Sequence, residues 1–182
     1  LWEENGVPAP VIIVGYDPRW PSVYEQERDL IVAAVGDWIV AIEHVGSTAV
    51  PGLGGKPIID IMPAVRRLAD VEHCIEPLER IGYEYVPEYN EILPERRYFH
   101  KGPPEARTFH LHVVERTSEF WERHLLFRDF LREHPEEAGE YSQLKKELAA
   151  RFGRDREGYT EAKTPFIEGI VAKARLDLQR QS

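Results

Sequence analysis

One cysteine, Cys74, and one methionine, Met62, are all the sulfur in the 182 residues. A lone cysteine excludes a disulfide within the chain and a cysteine-rich zinc site. No apolar run approaches the roughly 18 residues that a membrane span needs. No basic-then-apolar leader opens the chain, so the expectation is a cytoplasmic protein with no membrane partner. Positive charge is also scarce: 23 Lys and Arg against 32 Asp and Glu leave a net charge of −9. Phosphate backbones are bound by positive fields, so this balance argues against nucleic acid as a partner. It leaves room for a small phosphate-bearing ligand held by a few local cations. Familiar signatures are missing too. Lys56 is followed by Pro57, and Val50 stands where a P-loop would begin with glycine. Neither Gly-x-Gly-x-x-Gly nor a Gly-x-Ser-x-Gly elbow occurs.

What is present is a globular composition, 42% hydrophobic and 10% aromatic. A chain of this length buries roughly 70% of its unfolded surface, enough for a core without staples. The first ten residues, with Pro8 and Pro10, read as a tail or linker, and residues 11–178 as a single domain. Val11–Gly15 is β-branched and reads as a strand. Asp17-Pro18 suits a helix N-cap and first residue. Trp20, Tyr24, Glu27, Ile31 and Ala34 then recur at helical spacing up to Gly36. Trp38–Val45 and Pro57–Val65 read as strands around a glycine-rich loop, Gly46–Gly55. Asp70–Ile81 reads as a helix that Pro77 should bend or shorten. Tyr83–Val86, Arg96–Lys101 and Arg107–Val114 read as strands, the last two a hairpin around Gly102-Pro103-Pro104. From Thr117 the pattern is helical, with stripes of Phe120, His124, Phe127 and Leu131, then Tyr141, Leu144, Leu148 and Phe152, then Phe166, Ile170, Ala174 and Leu178. Trp2, Trp20, Trp38 and Trp121 are expected to anchor the core. The class is α/β (α+β): a mixed sheet flanked by helices, then a helical third.

The chemistry concentrates in and after the glycine loop. Gly46-Ser47 ends a strand, where a bare backbone can approach a phosphate and Ser47 can donate a hydroxyl. Lys56 adds a cation. Asp60, between Ile58, Ile59, Ile61 and Met62, is costly unless paired, hydrogen-bonded or metal-bound. The alternatives are Mg²⁺ bridging phosphate oxygens and an ion pair with Lys56 or an arginine. His110 and His112, two apart on a strand, share a face, with Phe109, Leu111 and Val113 turned to the core. Two adjacent imidazoles suit a metal or a phosphate, or sit on an uncovered sheet face. His44 can orient the loop. Alternation places Arg97 with Phe99 and Lys101, favouring Arg97 over Arg96 as an anion fork. Tyr159 and Lys163 neighbour each other on a helix, as a site or a surface pair. His124 reads as a core or boundary histidine, and Cys74 as packing.

The segment His44-Val45-Gly46-Ser47-Thr48-Ala49-Val50-Pro51-Gly52-Leu53, with Lys56-Pro57-Ile58-Ile59-Asp60-Ile61, resembles the signature of the GrpB family. Tyr16-Asp17-Pro18-Arg19-Trp20-Pro21, Arg97-Tyr98-Phe99, His110-Leu111-His112-Val113 and Tyr159-Thr160 with Lys163 are similar to its other blocks, over about residues 11 to 176. The resemblance implies a nucleotidyltransferase-like fold of the polymerase-β type, and with it Mg²⁺ and a nucleotide triphosphate. Gly46, Ser47 and Asp60 match that superfamily's pattern. Met62 stands where its second carboxylate belongs, and no third one follows on a later strand. Three functions therefore stay open. One is Mg²⁺-dependent nucleotidyl transfer, with Asp60 and His112 on the metal, His110 or His112 as base, and Ser47, Lys56, Arg97 and Lys163 on the nucleotide. The second is a non-catalytic nucleotide- or coenzyme A-binding module, since the family also occurs fused behind dephospho-coenzyme A kinases. The third is a hydrolase with a transition metal on Asp60, His110 and His112.

Overall fold

The computed structural model describes residues 10–104 and 106–181, the last by its backbone alone. Trp2 and the expected tail up to residue 9 lie outside the described residues.

Five strands form one mixed sheet: β1 (Ile39–Val45), β2 (Ile59–Val65), β3 (Tyr83–Tyr85), β4 (Arg96–Lys101) and β5 (Phe109–Glu115). Their spatial order is β1-β2-β5-β4-β3, with β2 and β5 parallel and the other pairs antiparallel. The expected β4–β5 hairpin forms, turning at Gly102 with φ 97°. Among the described residues, six α-helices accompany the sheet: α1 (Trp20–Val35), α2 (Glu72–Arg80), α3 (Tyr89–Ile92), α4 (Glu119–Glu133), α5 (Pro135–Phe152) and α6 (Arg156–Gln181). Among the described residues, none is long and apolar enough to cross a membrane.

Strand alternation divides the sheet into two differently used faces. Ile59, Ile61, Phe99, Leu111 and Val113 meet Trp20, Ile31 and Val35 of α1 and Cys74 and Leu78 of α2 in the main core. Lys101 reaches from β4 to the buried Glu27 of α1 at 2.8 Å, an ion pair between those layers. On the other face, Met62, Ala64 and Val114 pack against Phe120 and Trp121 of α4. Ser118 caps α4, its Oγ accepting from the Trp121 amide at 3.2 Å.

The C-terminal helices do more than cover that face. Val50 and Leu53 of the glycine loop are buried among Phe127, Leu131, Tyr141 and Ile170. Arg132 donates to the Ala49 carbonyl at 2.9 Å, and Arg128 to the His44 carbonyl at 2.9 Å. Each aliphatic side chain buried there stabilises by about 1.5–3 kcal/mol, so the helical third clamps the loop against the strand ends.

Some expectations shift. Val11–Gly15 is not a strand: Val14 makes an isolated bridge to Gly55, and the Val11 amide bonds the Gly153 carbonyl. Helix α1 starts at Trp20, with Pro21 in its first turn, while Asp17 bonds the Arg19 amide in the preceding turn. Pro77 sits inside α2, whose first expected turn is 3₁₀. Trp38 is 38% exposed and stacks on His73 instead of entering the core. Leu178 is 53% exposed and stands off the buried stripe of α6.

Candidate functional site

Gly46 turns the chain out of β1 with φ 74° and ψ −171°, a conformation nearly confined to glycine. A Cβ there would stand 2.7 Å from Asp60 Oδ2, so the bare backbone lets the loop cross directly over Asp60. The loop then makes a single 3₁₀ turn, Ser47–Ala49. His44 does not face Asp60. It pairs with Ile61 on the α1 side of the sheet, stacks on Tyr24 at 4.6 Å and bonds Thr48 Oγ1 at 2.8 Å. Burial pushes its pKa down to about 4, so His44 is a neutral brace under the loop.

On the opposite face, parallel pairing sets Asp60 beside His110, with His112 one pleat further along β5. Asp60 Oδ1 lies 3.4 Å from His110 Nδ1 and 3.1 Å from His112 Nε2. Ligand atoms of the three residues all lie within 4.8 Å of one another. Donors about 2.1 Å from one tetrahedral or octahedral ion stand roughly 3.0–3.4 Å apart, so the two distances to Asp60 fit a shared metal. Burial alone would raise the Asp60 carboxyl, but hydrogen bonds from His110 and His112 outweigh it and hold it far below the usual range. Burial lowers His112 despite its Asp60 bond. At neutral pH the cluster therefore holds an ionised carboxylate and a neutral His112 imidazole.

Strand β4 contributes the next layer. Arg96 and Tyr98 share the site face, and the Arg96 guanidinium lies 4.9 Å from the Tyr98 ring centre. Arg96 Nη1 donates to His112 Nδ1 at 3.1 Å. Arg97 is not brought into the group. Its side chain turns back to the Pro94 and Arg96 carbonyls, at 2.9 and 3.2 Å. Alternation did place Arg97 with Phe99, but that is the α1–α2 face, and the site occupies the other.

A cavity of about 640 Å³ opens over this cluster, lined by Gly46, Ser47, Asp60, His110, His112 and Lys56, with further walls from α4, α5 and α6. Lys163 also lines it, 4.3 Å from the Tyr159 ring centre, and Tyr159 is buried beneath at 1% exposure. Lys145 of α5, absent from the sequence reading, is 2% exposed; it donates to Ser47 Oγ at 2.8 Å and to the Gly54 carbonyl. A signal for it was available: position 145 is four after Tyr141 and three before Leu148, inside the apolar stripe. His124 reaches the cavity wall, its Nδ1 2.8 Å from the Phe120 carbonyl.

Comparison with known proteins gives the family and the fold. The family model described as GrpB protein matches residues 10–173. A UPF0157 protein of Pseudomonas aeruginosa is 41% identical, over 87% of this chain and 65% of its own. UPF0157 protein YqkA of Bacillus subtilis is 39% identical, over 91% of this chain and 47% of its own. The chain thus spans about half to two thirds of those relatives. The crystal structure of conserved protein GrpB from Enterococcus faecalis superposes with a TM-score of 0.80 at 37% identity, covering 92% of this chain and 99% of that one. A dephospho-CoA kinase of Mycolicibacterium paratuberculosis is 27% identical, over 96% of this chain and 51% of its own. The fold, the loop over Asp60 and the matched span together make this chain a member of the GrpB protein family.

Proposed function

We propose that the chain binds a small phosphate-bearing molecule in the cavity over Asp60 and acts on its phosphate with a divalent metal ion held by Asp60, His110 and His112. The carrying observation is the convergence of these three side chains, with donor atoms within 4.8 Å, on the floor of a cavity that also holds Ser47, Lys56 and Lys163. One carboxylate with two imidazoles suits Mn²⁺ or Zn²⁺ better than Mg²⁺, which prefers an all-oxygen shell. Bound there, such an ion would supply Lewis-acid stabilisation of charge on phosphate oxygens. The chain's own groups do the rest. Ser47 and the lysines orient the phosphate, and α4 and α6 wall the cavity against water. The product class is phosphoryl or nucleotidyl transfer, or hydrolysis.

A second reading, a nucleotide- or coenzyme A-binding module without turnover, is supported by the similarity to a dephospho-CoA kinase. One experiment separates the two. The purified chain is melted with each nucleoside triphosphate and with coenzyme A, with and without Mn²⁺, Zn²⁺ or Mg²⁺, and product is sought by chromatography. A ligand at about 100 times its Kd adds roughly 2.7 kcal/mol of stability. Metal-dependent stabilisation with turnover, lost in a folded Asp60→Asn protein, is expected. Stabilisation that ignores metal and survives Asp60→Asn, without product, favours the module.

A further inference from the structure

We propose that Lys56, Lys145 and Lys163, with Ser47, form a receptor for a polyphosphate group of at least two linked phosphates. This rests on the reading that the ligand bears phosphate, and it names the kind of phosphate.

The three lysines come from separate elements: the loop before β2, α5 and α6. All line the same cavity. The Lys56 and Lys163 ammonium groups lie 5.8 and 4.3 Å from the centre of one buried Tyr159 ring, and that of Lys145 lies 4.7 Å from the Tyr141 ring centre. Among the described residues, none of the three pairs with a carboxylate within salt-bridge distance. Three clustered cations without counter-ions are costly. The cost appears in their titration. Burial, and then the charges of Lys163 and Lys56, push Lys145 down to about 7. Burial, and then Lys56, push Lys163 down to about 8. Lys56 is lowered as well, chiefly by burial, with Arg156 adding to it. Asp60 opposes these shifts at Lys56 and Lys163, and Tyr141 and Tyr159, both raised by burial, stay neutral across the range.

Lys145 also ties α5 to the glycine loop, but the mutual repulsion of the three lysines is relieved only when an anion completes the cluster. A single phosphate brings at most two charges to three cations, whereas a diphosphate brings three or more and can span all three lysines. The anion would favour the charged forms of Lys145 and Lys163 and relieve their mutual repulsion. Gly55 is shaped to this cluster: a Cβ there would stand 2.8 Å from Ser47 Cβ and 3.4 Å from Lys145 Nζ.

The test is a calorimetric titration of metal-depleted protein with inorganic pyrophosphate and, separately, inorganic phosphate. Both titrations are run at one neutral pH in the same buffer. Pyrophosphate should bind about tenfold or more tightly than phosphate. Lys163→Met and Lys56→Met should each weaken it about tenfold or more; among the described residues neither side chain hydrogen-bonds the framework, so both proteins should melt normally. Equal affinity for the two anions, or absence of binding, overturns the proposal. Because metal is removed, such a failure leaves the Asp60–His110–His112 reading untouched. Failure of the metal reading would equally leave this one standing.

Discussion

Asp60 keeps a charge within an otherwise apolar strand because two imidazoles on β5 bond to it. Arg96 governs one of them. A guanidinium only donates, so His112 Nδ1 must accept, and the neutral ring carries its proton on Nε2, facing Asp60. A metal at Nε2 would move that proton to Nδ1, where arginine has no acceptor to offer. Arg96 must therefore swing away before His112 can serve as a ligand. Arg96→Gln supplies an amide oxygen that can accept from Nδ1–H, and should tighten Mn²⁺ or Zn²⁺ binding by about tenfold. Calorimetry on both proteins checks this, and unchanged or weaker binding would contradict it. Much at this scale was legible in sequence. An acid among isoleucines needs a partner, and the i, i+2 spacing put both histidines on one face. Arg96 and Lys145 were not legible in the same way. Pairing Arg97 with Phe99 was sound, but only the layer order shows which face carries the site. Lys145 stands within an apolar stripe, but lysines are so rarely buried that the position reads as surface.

At the scale of elements, the site depends on parallel pairing of β2 with β5 and on the loop that Gly46 folds over them. Gly46→Ala forces a side chain into a conformation that costs about 1–3 kcal/mol and drives a methyl into Asp60. It should lower the unfolding free energy read from urea titration by that amount and remove metal binding together with it. Loss of neither would show that the loop does not bear on Asp60. Strand and helix types were readable from periodicity, including β4, whose bounds agree residue for residue. Val11–Gly15 misled because its β-branched run has one bridging partner, Gly55, and no full strand to pair with. The one-turn α3 is too short to show any periodicity. The clamp of α4 and α5 on the loop is a tertiary fact, carried by Arg128, Arg132 and Lys145 over long sequence separations.

The whole molecule carries a pH signature. Burial pushes His44 and His124 down to about 4 and lowers His112 too. Their unfolded value is near 6.5, so on acidification the unfolded chain takes protons first. Stability from these neutral imidazoles is complete above about pH 6.5 and drains away toward about pH 4, at about 3 kcal/mol for His44 alone. Asp60 has the opposite chemistry but a lower window: its contribution holds until pH falls below the ordinary carboxylate value. It therefore offers no compensation between pH 6.5 and 4. Urea midpoints should drop clearly from about pH 7.5 to about pH 4.5, and a flat profile would show that these histidines are not buried neutral. The −9 charge, legible from composition, coexists with a cavity that gathers lysines, a contrast that only the fold reveals.

The central claim is the metal centre, and the most direct measurement is a calorimetric titration of the metal-depleted chain with Mn²⁺ and Zn²⁺, beside Asp60→Asn. The wild-type protein should take one equivalent, and Asp60→Asn should bind at least about 100-fold more weakly while melting cooperatively. A wild-type chain that binds neither ion, or an Asp60→Asn chain that binds equally well, would contradict it.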